Sequence, residues 1–128
     1  SRRRHTRYLS VTGVQTCALP IWLPPNLKAV YGGLNLDATT LIKLPDSLEY
    51  VDSFLDLRHT KITTVPSFLE VKHSLYLSYC FNLKSLPRTI TCENLYIVET
   101  PLANNHSLAK LKKWFPNVQN FITSRYTT

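Results

Sequence analysis

From residue 23 onward the chain repeats itself. Leu23-Pro24, Leu44-Pro45, Val65-Pro66 and Leu86-Pro87 follow one another at intervals of 21 residues. Four residues after each leading aliphatic comes another, at Leu27, Leu48, Leu69 and Ile90. Aliphatic pairs separated by one residue come next: Leu34 and Leu36, Leu55 and Leu57, Leu75 and Leu77, Leu95 and Ile97. Three residues beyond each pair stands Thr39, Thr60, Cys80 or Thr100, and then one more aliphatic, Leu41, Ile62, Leu83 or Leu102. Chance does not keep so many kinds of position in phase over four units.

The physical consequence is a solenoid. L-x-L alternation has the period of a strand with one buried face. A proline just after an apolar residue stops the strand and sets up a turn or an extended PPII segment. One unit of this length cannot bury its own apolar face. Stacking the units with parallel strands, about 4.8 Å apart, merges their inward aliphatics into one core.

The units LNLDATTLIKLP, LDLRHTKITTVP and LYLSYCFNLKSLP resemble the leucine-rich repeat family, in particular its short LP-type repeats of bacterial and phage proteins. The resemblance covers residues 23 to about 104. It implies an α/β-type solenoid: about four short parallel strands on a concave face, an irregular, 3-10 or PPII convex side, and a C-terminal cap. The family usually has Asn after the strand, where Thr39, Thr60, Cys80 and Thr100 stand here. Thr donates one hydrogen bond and Cys a weak one, so a weaker ladder between turns is expected. Unit three has one extra residue after Cys80, unit four shortens before Leu95, and Pro101-Leu102 replaces its closing L-P, as in a terminal repeat.

The same resemblance places outward residues in rows on the concave face. These are Gly33, Asn35 and Asp37; Phe54, Asp56 and Arg58; Ser74, Tyr76 and Ser78; Asn94, Tyr96 and Val98. The binding candidates are Asn35, Asp37, Phe54, Asp56, Arg58, Tyr76, Ser78 and Tyr96. Tyr76 and Tyr96 are expected as neighbours about 5 Å apart, with Arg58 and Phe54 beside them. Aromatic residues with Arg are the usual composition of a protein-binding hot spot. The alternative is cross-strand pairing that only stiffens the sheet. Four strands of about five residues offer roughly 300 Å², against about 800 Å² per partner in a standard interface. The rest of such a surface is expected in further repeats upstream.

Beyond the repeats, HSLAKLKKWFPNV changes to helical spacing. Leu108, Leu111 and Trp114 or Phe115 share one face, Ser107 or Asn105 caps the start, and Pro116-Asn117 ends it. This predicts a capping helix, with Trp114 and Phe115 read as core packing rather than a ligand box, within a cap and tail over 105–128. VQNFIT then alternates, consistent with a short final strand.

The net charge of +7 suggests nucleic acid or an anionic membrane as partner. The charge is uneven, however. Residues 1–21 hold four arginines and no acid, which leaves 11 Lys and Arg against 8 acids, a net of +3, in the rest. SRRRHTR and VTGVQTCALPI also resemble the conceptual translation of a sequencing-library adapter, with Tyr8, Leu9 and Ser10 at its variable barcode. Residues 1–21 are therefore read as a non-native segment, and nucleic acid and membrane drop out as expected partners. The repeats occupy 22–104, truncated at their N-terminal side.

No enzyme is expected. His59, His73 and His106 lie in unrelated contexts, none at metal-ligand spacing with Cys or Asp. Cys80 falls on the buried ladder, where a thiol is inert, and Cys92 near the inward side of the convex face. Gly32-Gly33 reads as a turn rather than a phosphate cradle. No metal and no cofactor is expected. The leading expectation is a protein-binding module acting through the concave face. Its rivals are the substrate-recognition part of a larger bacterial effector enzyme, and nucleic-acid binding through the basic N-terminus. Two cysteines outside residues 1–21 and no signal peptide lean toward an intracellular setting.

Overall fold

The computed structural model describes residues 23–124, so the reading of residues 1–21 lies outside the described residues. Within them the repeats stack as a parallel solenoid. The strands are β1 (Ala29–Val30), β2 (Leu34–Asn35), β3 (Tyr50–Val51), β4 (Phe54–Asp56), β5 (Glu70–Tyr76), β6 (Thr91–Tyr96) and β7 (Val118–Ile122). All join one sheet, and every pairing is parallel.

Register follows the repeat phase. Leu34, Leu55, Leu75, Leu95 and Phe121 stand opposite one another across successive turns. Leu36, Leu57, Leu77 and Ile97, the second members of each pair, are all fully buried. Because the side-chain period is two, both members of a pair face inward, and the residue between them faces out.

A second column lies upstream: Val30, Val51, Val71, Cys92 and Val118. Each early turn therefore carries two short strand segments rather than one. Bends at Tyr31-Gly32 and Asp52-Ser53 separate β1 from β2 and β3 from β4, whereas β5 and β6 run through. Gly32 has φ 134°, a conformation closed to other side chains, which explains a glycine at that bend. Between β5 and β6 the register shifts from Val71–Cys92 to Ser74–Asn94. Lys72 and His73 there face the single residue Glu93. The shortening before Leu95 is thus a bulge, which keeps both apolar columns aligned.

The return side differs from the expected form. Among the described residues it holds no 3-10 helix, and helices occur only at the end of the fourth repeat and in the cap. The repeats are strand and turn, so the α/β description gives way to a β-solenoid with a helical cap. Each LP proline opens a turn: the amides of Leu27, Leu48, Leu69 and Ile90 donate to the carbonyls of Pro24, Pro45, Pro66 and Pro87 at 3.1–3.3 Å. In the third turn Phe68 has φ 66° and is 72% exposed. A bulky side chain is strained in this left-handed conformation by about 1 kcal/mol. Phe68→Gly is therefore expected to hold or raise the urea midpoint, although it removes an aromatic ring; a clear drop in midpoint would show that the ring contributes packing.

The turn leaving each strand is left-handed as well. Ala38, His59, Tyr79 and Glu99 have φ of 58–64°, and each immediately precedes Thr39, Thr60, Cys80 or Thr100. The three threonine hydroxyls donate within their own turn, to Leu36, Leu57 and Ile97 carbonyls at 2.7–2.9 Å. Of the four, only the middle pair links turns through side chains: the Cys80 Sγ donates to the Leu57 carbonyl at 2.9 Å and lies 3.6 Å from the Thr60 hydroxyl. The expected side-chain ladder between turns is replaced by backbone. Ala38 and Tyr79 amides donate to Arg58 and Val98 carbonyls at 2.8 Å.

Helix α1 (Pro101–Asn104) begins where unit four departs from the pattern, with Thr100 capping the Ala103 amide and Pro101 in the first turn. Helix α2 (Leu108–Trp114) follows, capped by the Ser107 hydroxyl at the Lys110 amide, with Lys112 and Lys113 in its last turn. Leu111 and Phe115 close the core, but Leu108 is 43% exposed, contrary to the expected face. The predicted final strand is β7, which extends the sheet beside β6.

Candidate functional site

The strand face carries the candidate site. Outward positions alternate with the buried leucines, so each turn presents two or three side chains at strand spacing. Tyr76 of β5 lies beside Tyr96 of β6. Their rings stack with centroids 4.6 Å apart and planes 23° from parallel. Phe54 of β4 meets Tyr76 edge-on at 6.5 Å. The Phe54 ring lies over Gly33, where any Cβ would overlap it. A side chain at Gly33 would push Phe54 off this face, so the glycine is required by close approach.

Arg58 is fixed from below. Asp56 accepts from the Arg58 guanidinium at Nε (2.9 Å) and Nη2 (2.7 Å), a two-pronged charged contact. The same carboxylate accepts from the Arg58 backbone amide at 3.1 Å. These bonds hold the Arg58 pKa above its ordinary value, chiefly through the side-chain hydrogen bond to Asp56. The guanidinium stands 5.5 Å from the Tyr76 ring centre, within cation–π range. Asp37 of the preceding turn lies 3.8 Å from Arg58.

Two expected surface groups are inside instead. Asp56 is only 4% exposed and Ser78 5%. Asp56 is drawn in because its oxygens close the local turn and anchor Arg58. The Ser78 hydroxyl accepts from the Val98 amide at 3.0 Å, joining adjacent turns. Val98, also expected to face out, is buried. Asn35 repeats the Asp56 turn with its Oδ1 accepting from the Asp37 amide at 3.0 Å. The partly exposed part of the proposed surface is therefore Asn35, Phe54, Arg58, Tyr76 and Tyr96, flanked by Asp37.

Sequence reasoning missed the neighbouring column. His59 stacks on Tyr79, centroids 5.0 Å apart and planes 2° from parallel. Its Nδ1 lies 3.0 Å from Asp37. Their common left-handed turn sets them side by side. The available signal was the spacing of 38, 59, 79 and 99, one residue before the threonine column, but residue type varies too much there to draw attention. On the other border His73 meets Glu93 at 3.1 Å beside the bulge.

Both described thiols are buried and reduced. Cys92 belongs to the upstream strand column, not to the convex side, and burial pushes its pKa up to about 12. Burial also raises Cys80, partly countered by its hydrogen bonds with Thr60 and the turn. Neither is a nucleophile at neutral pH. With Cys17 changed to Ser, native protein is expected to leave both thiols unmodified by Ellman's reagent until urea unfolds it; rapid native labelling at either would contradict this burial. The raised thiol pKa values also imply a linkage. Stability is complete below the unfolded thiol value of about 9.0 and falls from there toward about pH 12, as only the unfolded thiols ionise.

Among the described residues no cluster of His, Cys, Asp or Glu could hold a metal. No helix there is long and apolar enough to cross a membrane. The fold and this face define a parallel β-solenoid with an aromatic–arginine strip on its strand face. Comparison with known proteins returns no matching family model, no matching curated protein and no matching solved structure.

Proposed function

We propose that the chain is a leucine-rich-repeat-type recognition module that binds a protein partner through its strand face. The observation that carries this reading is the contiguous strip of Phe54, Arg58, Tyr76 and Tyr96. Its arginine is pre-oriented by a buried carboxylate. Stacked tyrosines with an ordered arginine offer large, rigid contact area and lose little conformational entropy on binding. Asp37 and His59 give the border a polar edge, as interface rims have.

Peptide ligands selected from a random display library against the full chain test the assignment. Ligands using this face should lose at least about tenfold in affinity when Tyr76 and Tyr96 are both changed to Ala. They should be indifferent to Lys43→Ala on the return side. Selected ligands that bind the Tyr76→Ala/Tyr96→Ala variant as well as the parent chain would sink the site.

A further inference from the structure

A second site lies in the cap, where α2 meets the fourth LP turn. Lys84, Arg88, Leu102, His106, Trp114 and Phe115 line a cleft of about 320 Å³. Its floor is apolar, since Leu102 and Phe115 are buried there. Its wall is the Trp114 ring, which is only partly buried. Two cations attend that ring: Arg88 at 5.2 Å and Lys110 at 5.5 Å from its centre. His106 meets it edge-on at 4.8 Å.

Two features of this cleft are unbalanced. Among the described residues, Lys84 and Arg88 of the lining and Lys110 beside it form no ion pair, and no carboxylate lines the cleft. The His106 Nδ1 is buried with no hydrogen-bond partner among the described residues. Buried polar atoms without partners are rare, and each calls for an explanation. An anion would compensate the cations, a rotation of His106 would turn its buried Nδ1–H to an oxygen of that anion, and a ring would pack beside Trp114.

We propose that this cleft binds a small organic anion: a carboxylate carried on a flat apolar ring. The volume is near the lower end for ligand pockets, which start at roughly 300 Å³, and suits a ligand of one or two rings. The site is separate from the strand face, so its fate is independent of the protein-binding proposal.

The test uses the full chain, NMR of the Trp114 indole and the His106 ring, and three probes. These are 2-naphthoate, its neutral analogue 2-naphthalenemethanol, and inorganic phosphate. Naphthoate is expected to shift both resonances. The alcohol and phosphate are each expected to bind at least about tenfold more weakly. Arg88→Gln changes an exposed residue and is expected to weaken naphthoate about tenfold while leaving the alcohol unaffected. Absence of shifts at millimolar naphthoate would overturn the proposal. Equal binding of the alcohol would reduce the cleft to an apolar hole, and equal binding of phosphate would reduce it to surface charge; either result also overturns it.

Discussion

Leu75→Ala is expected to lower the unfolding free energy by about 3 kcal/mol. Leu75 is fully buried in β5, which pairs with β3, β4 and β6. Its side chain is flanked in register by Leu55 and Leu95. Truncation removes transfer free energy and leaves a cavity that the fixed strand spacing cannot collapse. In a stacked fold each turn is stabilised by its neighbours, so a defect at the centre weakens two interfaces at once. Urea unfolding followed by far-UV circular dichroism measures the loss. Ile42→Ala, at a 68% exposed position one residue from buried Leu41, is the control and should change stability by less than about 0.5 kcal/mol. A loss below about 1 kcal/mol at Leu75 would mean that the leucine columns are not one cooperative core.

Arg58→Ala is expected to destabilise the fold by about 2 kcal/mol, more than a surface ion pair contributes. The reason is the position of its partner. Arg58 is partly open to water, but Asp56 is buried, and removal of the guanidinium strands a carboxylate that accepts two of its bonds from that group. The backbone bond from residue 58 remains and cannot satisfy both oxygens. Adding Asp56→Ala to Arg58→Ala should then recover part of the loss, because deleting both partners costs less than orphaning one. A double variant that is less stable than the sum of the singles predicts would refute this account. The same single substitution should also weaken ligands of the strand face, since it removes the cation beside Tyr76.

The sequence made much of this arrangement legible. The phase of the L-x-L pairs set which residues are buried, because a strand has only two faces. It also set the stacking of Tyr76 on Tyr96, because residues one repeat apart in a parallel solenoid become neighbours at strand spacing. The capping helix was readable from its change of period and from Ser107. The valine column at 30, 51, 71, 92 and 118 was equally present in the letters. It was hidden by indels that shift its spacing and by Cys92 standing in for valine.

Other features depend on contacts between turns that no local pattern encodes. Asp56 looks like an exposed strand residue, yet between Asn35 and Tyr76 of the adjacent strands it is buried. Ser78 looks exposed until the Val98 amide finds its hydroxyl. The left-handed turns at Ala38, His59, Tyr79 and Glu99 go against the preference of those residues, and backbone bonds to the next turn hold at least the first and third. His106 and Trp114 were ordinary cap residues in the sequence. Only the seating of α2 against the fourth LP turn gives them a shared cleft with Lys84 and Arg88. Periodicity thus determined the solenoid and its inward and outward faces, because burial of alternate side chains is a local property. Tertiary packing decided which outward polar groups are exposed and where charge goes unpaired, because both depend on neighbours distant in the chain.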